Sequence, residues 1–564
     1  MNRCLVLFKY IFHCFSFFSA TSAVMAAGIM PKDGSTISTI HVMFGLEDIY
    51  GSDYYDLIVY DAGSKNKNTL PLFRTRSKYI SLLVKQGLQF GHQYQWQFMA
   101  YKKGTLVHTS PFYHFSILTS PRIDTARYRQ EVVTAKNSSA ELLLVDHSAI
   151  AIDRKGQPVW FLPLANDSME KWVIRDLDLT AAGTITHLDV RGAYEKDLNG
   201  SLLWTGPGDG RISGNSKEEY HHQLSKLADG SYIVCGFITK PGKQSSPGDA
   251  VRYNTIIQYE ADGKIRRSWN ELNSLENDSL FMQYRQNTFA GHLNGFALAP
   301  GHDKMFLSFK NLSDVFVLNL NSNRFEASIK KGLAPGIDFK QQHGPFYTRS
   351  KEILIYNNNI KEDSEDKGDE ETHPSVMAFT YDTTAKKFAP AWHVAIHAAR
   401  YPHGIAGKEG YVSETAKGNI LVCTGGANYA AEITRTGKKI WECYFYKRSG
   451  NDTAWKPYTN YRCRSITSLY PLWPSLQYAG KKNGQYIFRL YNAGSSSEAF
   501  QLKFTGENNM PGISYRSASL APGSTQLFYV PEKWGQSETF DCTVSPATIS
   551  GPSVTCHYKT SLLK

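Results

Sequence analysis

Three short segments in the middle of the chain carry histidines at the head of an apolar run. The residues are His221, His222, His292 with Asn294, and His343. Histidine can serve as a nucleophile, a proton carrier or a hydrogen-bond donor. A single histidine is more often a structural residue, whereas histidines at equivalent places of a repeated unit indicate one shared pocket.

Repeated hairpins are the elements that would position these histidines. Six times, an apolar β-run meets a turn containing Gly, Asn or Asp and returns to an aromatic residue. The copies are 150–160, 196–204, 256–269, 315–325, 377–392 and 431–441. Each is preceded by another hairpin, so the chain repeats a unit of about four strands, which is typical of a propeller. Inner strands line the channel of a propeller, so the histidines that start them should converge at one mouth.

The whole chain is predicted to be all-β. Its 564 residues include 33 Tyr, 30 Phe and 44 Gly, with short Val- and Ile-rich runs broken by turn residues. We predict a six-bladed β-propeller over 119–465, flanked by a fibronectin-like β-sandwich over 28–118 and a second immunoglobulin-like β-sandwich over 466–564.

The net positive charge favours anionic partners, but it does not identify the class of partner. There are 62 Lys and Arg against 51 Asp and Glu, a net charge of +11. No Lys/Arg-rich run stands out, so we expect no nucleic-acid partner.

The N-terminus predicts export. In residues 1–27, Arg3 and Lys9 flank an apolar stretch, and the segment ends in small residues that suit signal-peptidase cleavage near Ala26 or Ala27. Lys9 and His13 interrupt a stretch already short for a membrane span, so no stable anchor is expected. The mature protein should be periplasmic or secreted.

Six cysteines follow the predicted signal segment, in a compartment where disulfides persist. The pairs closest in sequence, and the predicted disulfides, are Cys443 with Cys463 and Cys542 with Cys556. Cys235 and Cys423 occupy the same place in two repeated strands and should be buried thiols. No C-x-x-C pair exists, so we expect no metal site of that type.

The ordered motifs His-His-Gln, His-x-Asn and Gln-His resemble those of the bacterial arylsulfate sulfotransferases. The resemblance covers about 30–465 and omits the C-terminal sandwich. It implies an exported six-bladed propeller behind an N-terminal sandwich. It also implies transfer of a sulfuryl group from a small-molecule aryl sulfate donor to a phenolic acceptor, by a ping-pong mechanism through a sulfated histidine. Neither phosphoadenylyl sulfate nor another cofactor is implied.

The resemblance also implies residue roles. His343 matches the nucleophile, and His292 with Asn294 matches the pair that holds the sulfuryl oxygens. His222, with His221 as the alternate, matches the remaining catalytic histidine. We expect it to protonate the leaving phenolate and to deprotonate the acceptor.

Lys310 marks a departure from the family. An arginine is expected on the strand after His-x-Asn, and this chain has Lys310 there. Lysine keeps the positive charge, but it lacks the planar guanidinium group that donates two hydrogen bonds to adjacent oxygens.

Two other functions fit parts of the sequence. A non-catalytic propeller could bind an anionic glycan or a protein partner, which suits the aromatic content and positive charge. A carbohydrate-active lyase could use a histidine-lined metal, although the third to fifth units offer no paired acid at the equivalent positions.

Overall fold

The computed structural model confirms the all-β prediction, with strands in every part of the chain that it describes. The described residues are 25–26, 28–63, 70–136, 141–164, 173–241, 250–284, 291–333, 337–360, 373–402, 408–449, 452–506, 512–532 and 539–563. Most of the predicted signal segment, and the acidic run 362–371, lie outside them.

The N-terminal part forms two packed sheets. The first strand of the chain, β1 (Met25–Ala26), pairs with a strand of the C-terminal part. The strands of the N-terminal part are β2 (Ser35–Ile37), β3 (Val42–Gly45), β4 (Tyr54–Asp61), β5 (Phe73–Ser77), β6 (Ser81–Val84), β7 (Gln93–Lys102), β8 (Thr105–Thr109) and β9 (Tyr113–Ile117). One sheet has the order β2-β9-β7-β4-β5 with β8 beside β7, and the other pairs β3 with β6. Phe44 and Trp96 meet between them, with ring centroids 5.1 Å apart and neither side chain exposed.

The central part contains the repeated units. Its strands are β10 (Tyr128–Ala135), β11 (Leu142–Val145), β12 (Ile150–Ile152), β13 (Pro158–Phe161), β14 (Arg175–Leu179), β15 (Ile185–Asp189), β16 (Gly192–Lys196), β17 (Leu202–Thr205), β18 (Tyr220–Lys226), β19 (Tyr232–Pro241), β20 (Ala250–Tyr259), β21 (Ile265–Asn270), β22 (Leu293–Leu298), β23 (Lys304–Phe309), β24 (Asp314–Asn319), β25 (Arg324–Ser328), β26 (His343–Tyr347), β27 (Glu352–Asn357), β28 (Ser375–Asp382), β29 (Lys387–Ala395), β30 (Tyr411–Glu414), β31 (Ile420–Thr424), β32 (Tyr429–Ile433), β33 (Lys439–Lys447), β34 (Lys456–Pro457) and β35 (Cys463–Ile466).

These strands form six sheets among the described residues. The second to fifth sheets are consecutive antiparallel meanders, β14 to β17, β18 to β21, β22 to β25 and β26 to β29. The sixth has the order β30-β31-β32-β33-β10, and the first has the order β35-β11-β12-β13. The inner strands of neighbouring sheets contact each other from β14 through to β35, and β11 contacts β14. The sheets therefore close into a ring, as in a propeller.

Ring closure depends on strands from both ends of this part of the chain. Strand β35 is the innermost strand of the first sheet, where Leu142 pairs with Ile466 and Val145 with Cys463. Strand β10 is the outermost strand of the sixth sheet, beside β33. Each closing sheet thus joins segments that lie about three hundred residues apart in the chain.

The C-terminal part is a second two-layer β structure. Its strands are β36 (Pro474–Lys482), β37 (Gln485–Asn492), β38 (Phe500–Gly506), β39 (Ile513–Arg516), β40 (Thr525–Pro531), β41 (Thr539–Pro546) and β42 (Val554–Lys559). The sheet β36-β37-β40 packs on the sheet β1-β42-β41-β38-β39, and both contribute to one apolar core.

Helices are short and few among the described residues. The α-helices are α1 (Glu271–Asn277) and α2 (Ile329–Gly332), and single 3₁₀ turns span Pro121–Ile123, Met282–Tyr284 and Thr560–Leu562. None of the described helices has the length and apolar character needed to cross a membrane.

Neither predicted disulfide is present in the structure, where all six described cysteines are free thiols. Cys463 lies against Cys423, with the Sγ atoms 3.4 Å apart, and is not bonded to Cys443. Closeness in sequence therefore pointed to the wrong neighbour. The expected burial of the Cys423 thiol is confirmed, as is that of Cys235.

The other predicted pair is directly opposed across two strands. Cys542 on β41 faces Cys556 on β42, and both side chains lie in the apolar core of the C-terminal part. Burial raises the pKa of the Cys556 thiol to about 12, which keeps it protonated and unreactive.

Candidate functional site

Three inner strands begin with the same backbone irregularity. The pairing register shifts between Arg175 and Asp178 in β14, between His221 and Leu224 in β18, and between His343 and Phe346 in β26. In each strand, the first residue inside the shift has a positive φ. These residues are Asp176 (50°), His222 (58°) and Gly344 (54°). Such bulges redirect side chains at the rim of a sheet. His343 therefore occupies the position in β26 that His221, and not His222, occupies in β18.

The fourth sheet has a related start. His292 has a φ of 57°, and the register shifts between Leu293 and Gly295, so that Asn294 is the bulged residue. A positive φ is uncommon for a residue other than glycine, and such strain concentrates at functional sites. The repeat of this feature in four neighbouring sheets indicates that the backbone is shaped to aim side chains into one space.

The predicted histidines come together at this end of the ring. The ring centroid of His222 lies 4.9 Å from that of His221 and 5.3 Å from that of His292. The ring of Tyr461 lies 6.1 Å from His222 and 6.0 Å from His343, so it lies beside both rings. Four histidines from three sheets thus share one pocket.

Lys310 belongs to the same pocket. Its backbone N–H donates to the carbonyl of His292 at 3.0 Å, and its charge lowers the pKa of His292 and of His343, in each case after the larger effect of burial. The ammonium group has no hydrogen bond or ion pair to another described residue, so it is free to hold an anion.

The orientation of the His343 ring is fixed. Its Nδ1 lies 2.7 Å from Oδ1 of Asn358 and 3.1 Å from the carbonyl oxygen of Gln341, and both atoms are acceptors. Nδ2 of Asn358 donates to the carbonyl of Glu409 at 2.8 Å, which sets the amide with its oxygen toward the histidine. Nδ1 therefore carries the ring hydrogen, and Nε2 keeps its lone pair for attack.

Burial keeps the four histidines neutral. It lowers the pKa of His221 and of His343 to about 3 and that of His292 to about 4. The pKa of His222 also lies well below its usual value, chiefly because of burial. A neutral imidazole is the form that can attack or accept a proton.

This electrostatic state predicts an unusual pH profile. The reactive form of His343 is present above its folded pKa and is lost as the pH falls through it, so the acid limb of kcat/KM should lie at about pH 3 to 4. Initial rates across pH, with circular dichroism at each pH to confirm the fold, will test this. An acid limb near 6.5, the ordinary histidine value, would contradict it.

The side chain of Asn294 is buried and holds part of the backbone in place. It has no exposed surface, and its Nδ2 donates to the carbonyl of Gln342 at 2.7 Å. This contact fixes the peptide that precedes His343. Its Oδ1 is buried and has no hydrogen-bond partner among the described residues.

A buried ion-pair cluster under the pocket was not predicted. Arg462 and Arg464 each place a guanidinium nitrogen 2.6 Å from Oδ1 of Asp176, and Oδ2 of Asp176 accepts from the backbone N–H of Leu224 at 2.6 Å. Arg462 and the hydroxyl of Tyr461 also donate to the carbonyl of Asn294, at 3.1 and 3.2 Å. The cluster ties the first four sheets together at the floor of the pocket.

Comparisons with known proteins agree with part of this picture. Residues 128–332 match the family model described as Arylsulfotransferase (ASST). No curated protein matches the chain. Solved structures similar to the chain include a protein of unknown function from Bacteroides caccae, at 15% identity and a TM-score of 0.34, covering 54% of this chain and 93% of that one. Another is the Cps50 (Swd1) β-propeller domain from Myceliophteria thermophila, at 10% identity and a TM-score of 0.29, covering 56% of this chain and 88% of that one.

Proposed function

We propose, from the premise that residues 128–332 belong to the arylsulfotransferase family, that this protein moves a sulfuryl group from an aryl sulfate to a phenolic acceptor by way of His343. The observation that carries the proposal is the fixed His343 ring, whose Nδ1 faces two acceptors and whose Nε2 keeps its lone pair. Such a ring is prepared for nucleophilic attack.

In the first step, Nε2 of His343 attacks the sulfur of the donor in line with the departing oxygen. The N–S bond forms, the S–O bond to the aryl group breaks, and the phenolate leaves with the electron pair. Lys310 and His292 border the site of attack and would stabilise the three sulfuryl oxygens, as cationic and N–H donors do in phosphoryl transfer.

In the second step, the hydroxyl of the acceptor attacks the sulfohistidine. An S–O bond forms, the N–S bond breaks, and His343 recovers its lone pair. His222 takes the hydroxyl proton, since its ring lies beside that of His292 and faces Tyr461 in the same pocket. The two steps predict ping-pong kinetics.

Steady-state kinetics test the reaction directly. The purified mature chain should release phenolate from a chromogenic aryl sulfate when phenol is the acceptor, with parallel double-reciprocal lines as the two concentrations vary. No turnover with a panel of aryl sulfates and acceptors would leave the glycan-binding or protein-binding propeller as the better reading. We further expect the enzyme to act in the periplasm or outside the cell, because residues 1–27 have the features of a signal peptide.

Asn358→Ala should slow the first step. Without Oδ1 of Asn358 the His343 ring loses its shorter Nδ1 contact, and the attacking nitrogen is no longer held in line. We expect a fall in kcat of about 10²-fold with a smaller change in KM, as for other small misplacements of a reacting group. Single-turnover release of phenolate is the measurement. Asn277→Ala, an exposed asparagine on α1, is the matched control, and an equal effect of the two variants would refute the role of Asn358.

A further inference from the structure

The two adjacent histidines of β18 form a direct hydrogen bond. Nδ1 of His221 lies 2.7 Å from Nδ1 of His222, so one of these nitrogens must carry the hydrogen and the other must accept it. His222 has a positive φ of 58° at this contact. The direction of this bond decides which nitrogen of His222 is free in the pocket.

A backbone carbonyl fixes that direction. Nε2 of His221 lies 3.0 Å from the carbonyl oxygen of Gly236, which can only accept. Nε2 of His221 therefore carries the single hydrogen of a neutral ring, and its Nδ1 is an acceptor. The hydrogen between the rings belongs to Nδ1 of His222, which leaves Nε2 of His222 with a lone pair.

His221 is itself held away from the chemistry. Its ring stacks on Phe237 at a centroid distance of 4.0 Å and a plane angle of 22°, and only 6% of the residue is exposed. Both of its nitrogens have partners, the carbonyl of Gly236 and the ring of His222. His221 has no free nitrogen to offer to a substrate.

We propose that His221 is a positioning residue that holds His222 in its Nδ1–H form, so that Nε2 of His222 is the proton acceptor for the incoming phenol. The inference rests on the proposed function. It replaces the expectation that His221 could substitute for His222 as a proton carrier.

The proton balance follows from this arrangement. In the second step the acceptor O–H bond breaks, its proton goes to Nε2 of His222, the oxygen bonds sulfur, and the N–S bond electrons return to His343. Protonated His222 then gives the proton to water. Neutral His222 has no hydrogen on Nε2 to give in the first step, so a donor with an acidic parent phenol leaves unaided. The need for His222 therefore grows with the pKa of the phenol.

The test uses His221→Phe, which keeps a ring against Phe237 and removes the acceptor for Nδ1 of His222. With one nitrophenyl sulfate donor, kcat/KM for the acceptor should fall by about 10²-fold for phenol, whose pKa is about 10, and by only a few-fold for acidic nitrophenols. The burst of nitrophenolate from the first step should match the wild type. His221→Asn, whose amide oxygen can take the place of Nδ1, should restore much of the activity toward phenol.

The matched control is His187→Phe, because His187 is also buried and stacks on an aromatic ring, that of Tyr194 at 5.3 Å, in the neighbouring sheet. An equal loss for all phenols in His221→Phe, or no loss for any, would overturn the proposal. ¹⁵N spectra of histidine-labelled wild type give an independent readout if the variant fails to fold. They should show Nε2 of His222 without a hydrogen, and a hydrogen there would also overturn it. Absence of any turnover by the wild type would refute the proposed function, while the spectra would still decide the direction of the bond.

Discussion

His343→Ala is expected to abolish sulfuryl transfer while leaving the fold intact. The variant loses the nitrogen that the contacts with Asn358 and Gln341 aim into the pocket. We expect a fall in kcat on the order of 10⁴- to 10⁶-fold, the range found when a nucleophile is removed from an enzyme.

Initial rates with a chromogenic aryl sulfate and phenol are the measurement for this variant. His393→Ala is the matched control, since His393 is an exposed histidine on β29 of the same sheet. Circular dichroism and the thermal midpoint should be close to wild type for both variants. A His343→Ala protein that keeps full activity would rule out His343 as the nucleophile.

Asp176→Asn is expected to cause the largest loss of stability. Burial alone would raise the pKa of this carboxyl, but the charges of Arg462 and Arg464 outweigh it and hold the pKa below its usual value. Asparagine tolerates the positive φ of 50° at this position, so the substitution removes the charge without straining the backbone. It leaves the guanidinium of Arg462, which is 0% exposed, without its carboxylate, and it leaves Arg464, which is 13% exposed, with only the longer ion pair to Asp178 at 3.4 Å.

The expected cost is about 3–5 kcal/mol of unfolding free energy, as for other buried pairs that lose one partner. Because Arg462 also donates to the carbonyl of Asn294, we expect the pocket to lose its shape and activity to fall as well. Urea unfolding followed by circular dichroism measures the effect. Asp209→Asn breaks an exposed pair with Arg211 and should cost at most about 1 kcal/mol. Equal midpoints for the two variants would show that the cluster does not stabilise the ring.

Much of the fold was predictable because its signals are local. Alternating apolar runs and turns within each hairpin predict strands, and their repetition predicts a ring of similar sheets. The same repeat predicted that His222, His292 and His343 would meet, which the ring distances and the neighbours shared by these residues bear out.

The remaining features depend on contacts between distant parts of the chain. Strand β35 joins the first sheet beside β11. Tyr461 and Arg462 therefore reach the pocket from a segment that lies outside the repeated hairpins of the sequence. Asp176 lies near the start of β14, and its two arginine partners reach it only because β35 closes the ring. The prediction that Cys463 pairs with Cys443 failed for the same reason, because Cys423 and Cys463 become neighbours only when the ring closes.

The positions of the β-bulges also could not be predicted from the sequence. A bulge inserts an extra residue and changes which neighbour of a pair points inward, so the motif alone cannot tell which of His221 and His222 keeps a nitrogen free of protein partners. The bond to the carbonyl of Gly236 answers that question, and it assigns the open nitrogen to His222.

The most direct test of the central claim is mass spectrometry after mixing the enzyme with an aryl sulfate and no acceptor. The account predicts a mass increase of one sulfuryl group, located on the peptide that contains His343 and removed when phenol is added. The adduct should be absent from His343→Ala and present in His393→Ala. Rapid release of phenolate with no adduct on the wild-type protein, or an adduct on another residue, would contradict it.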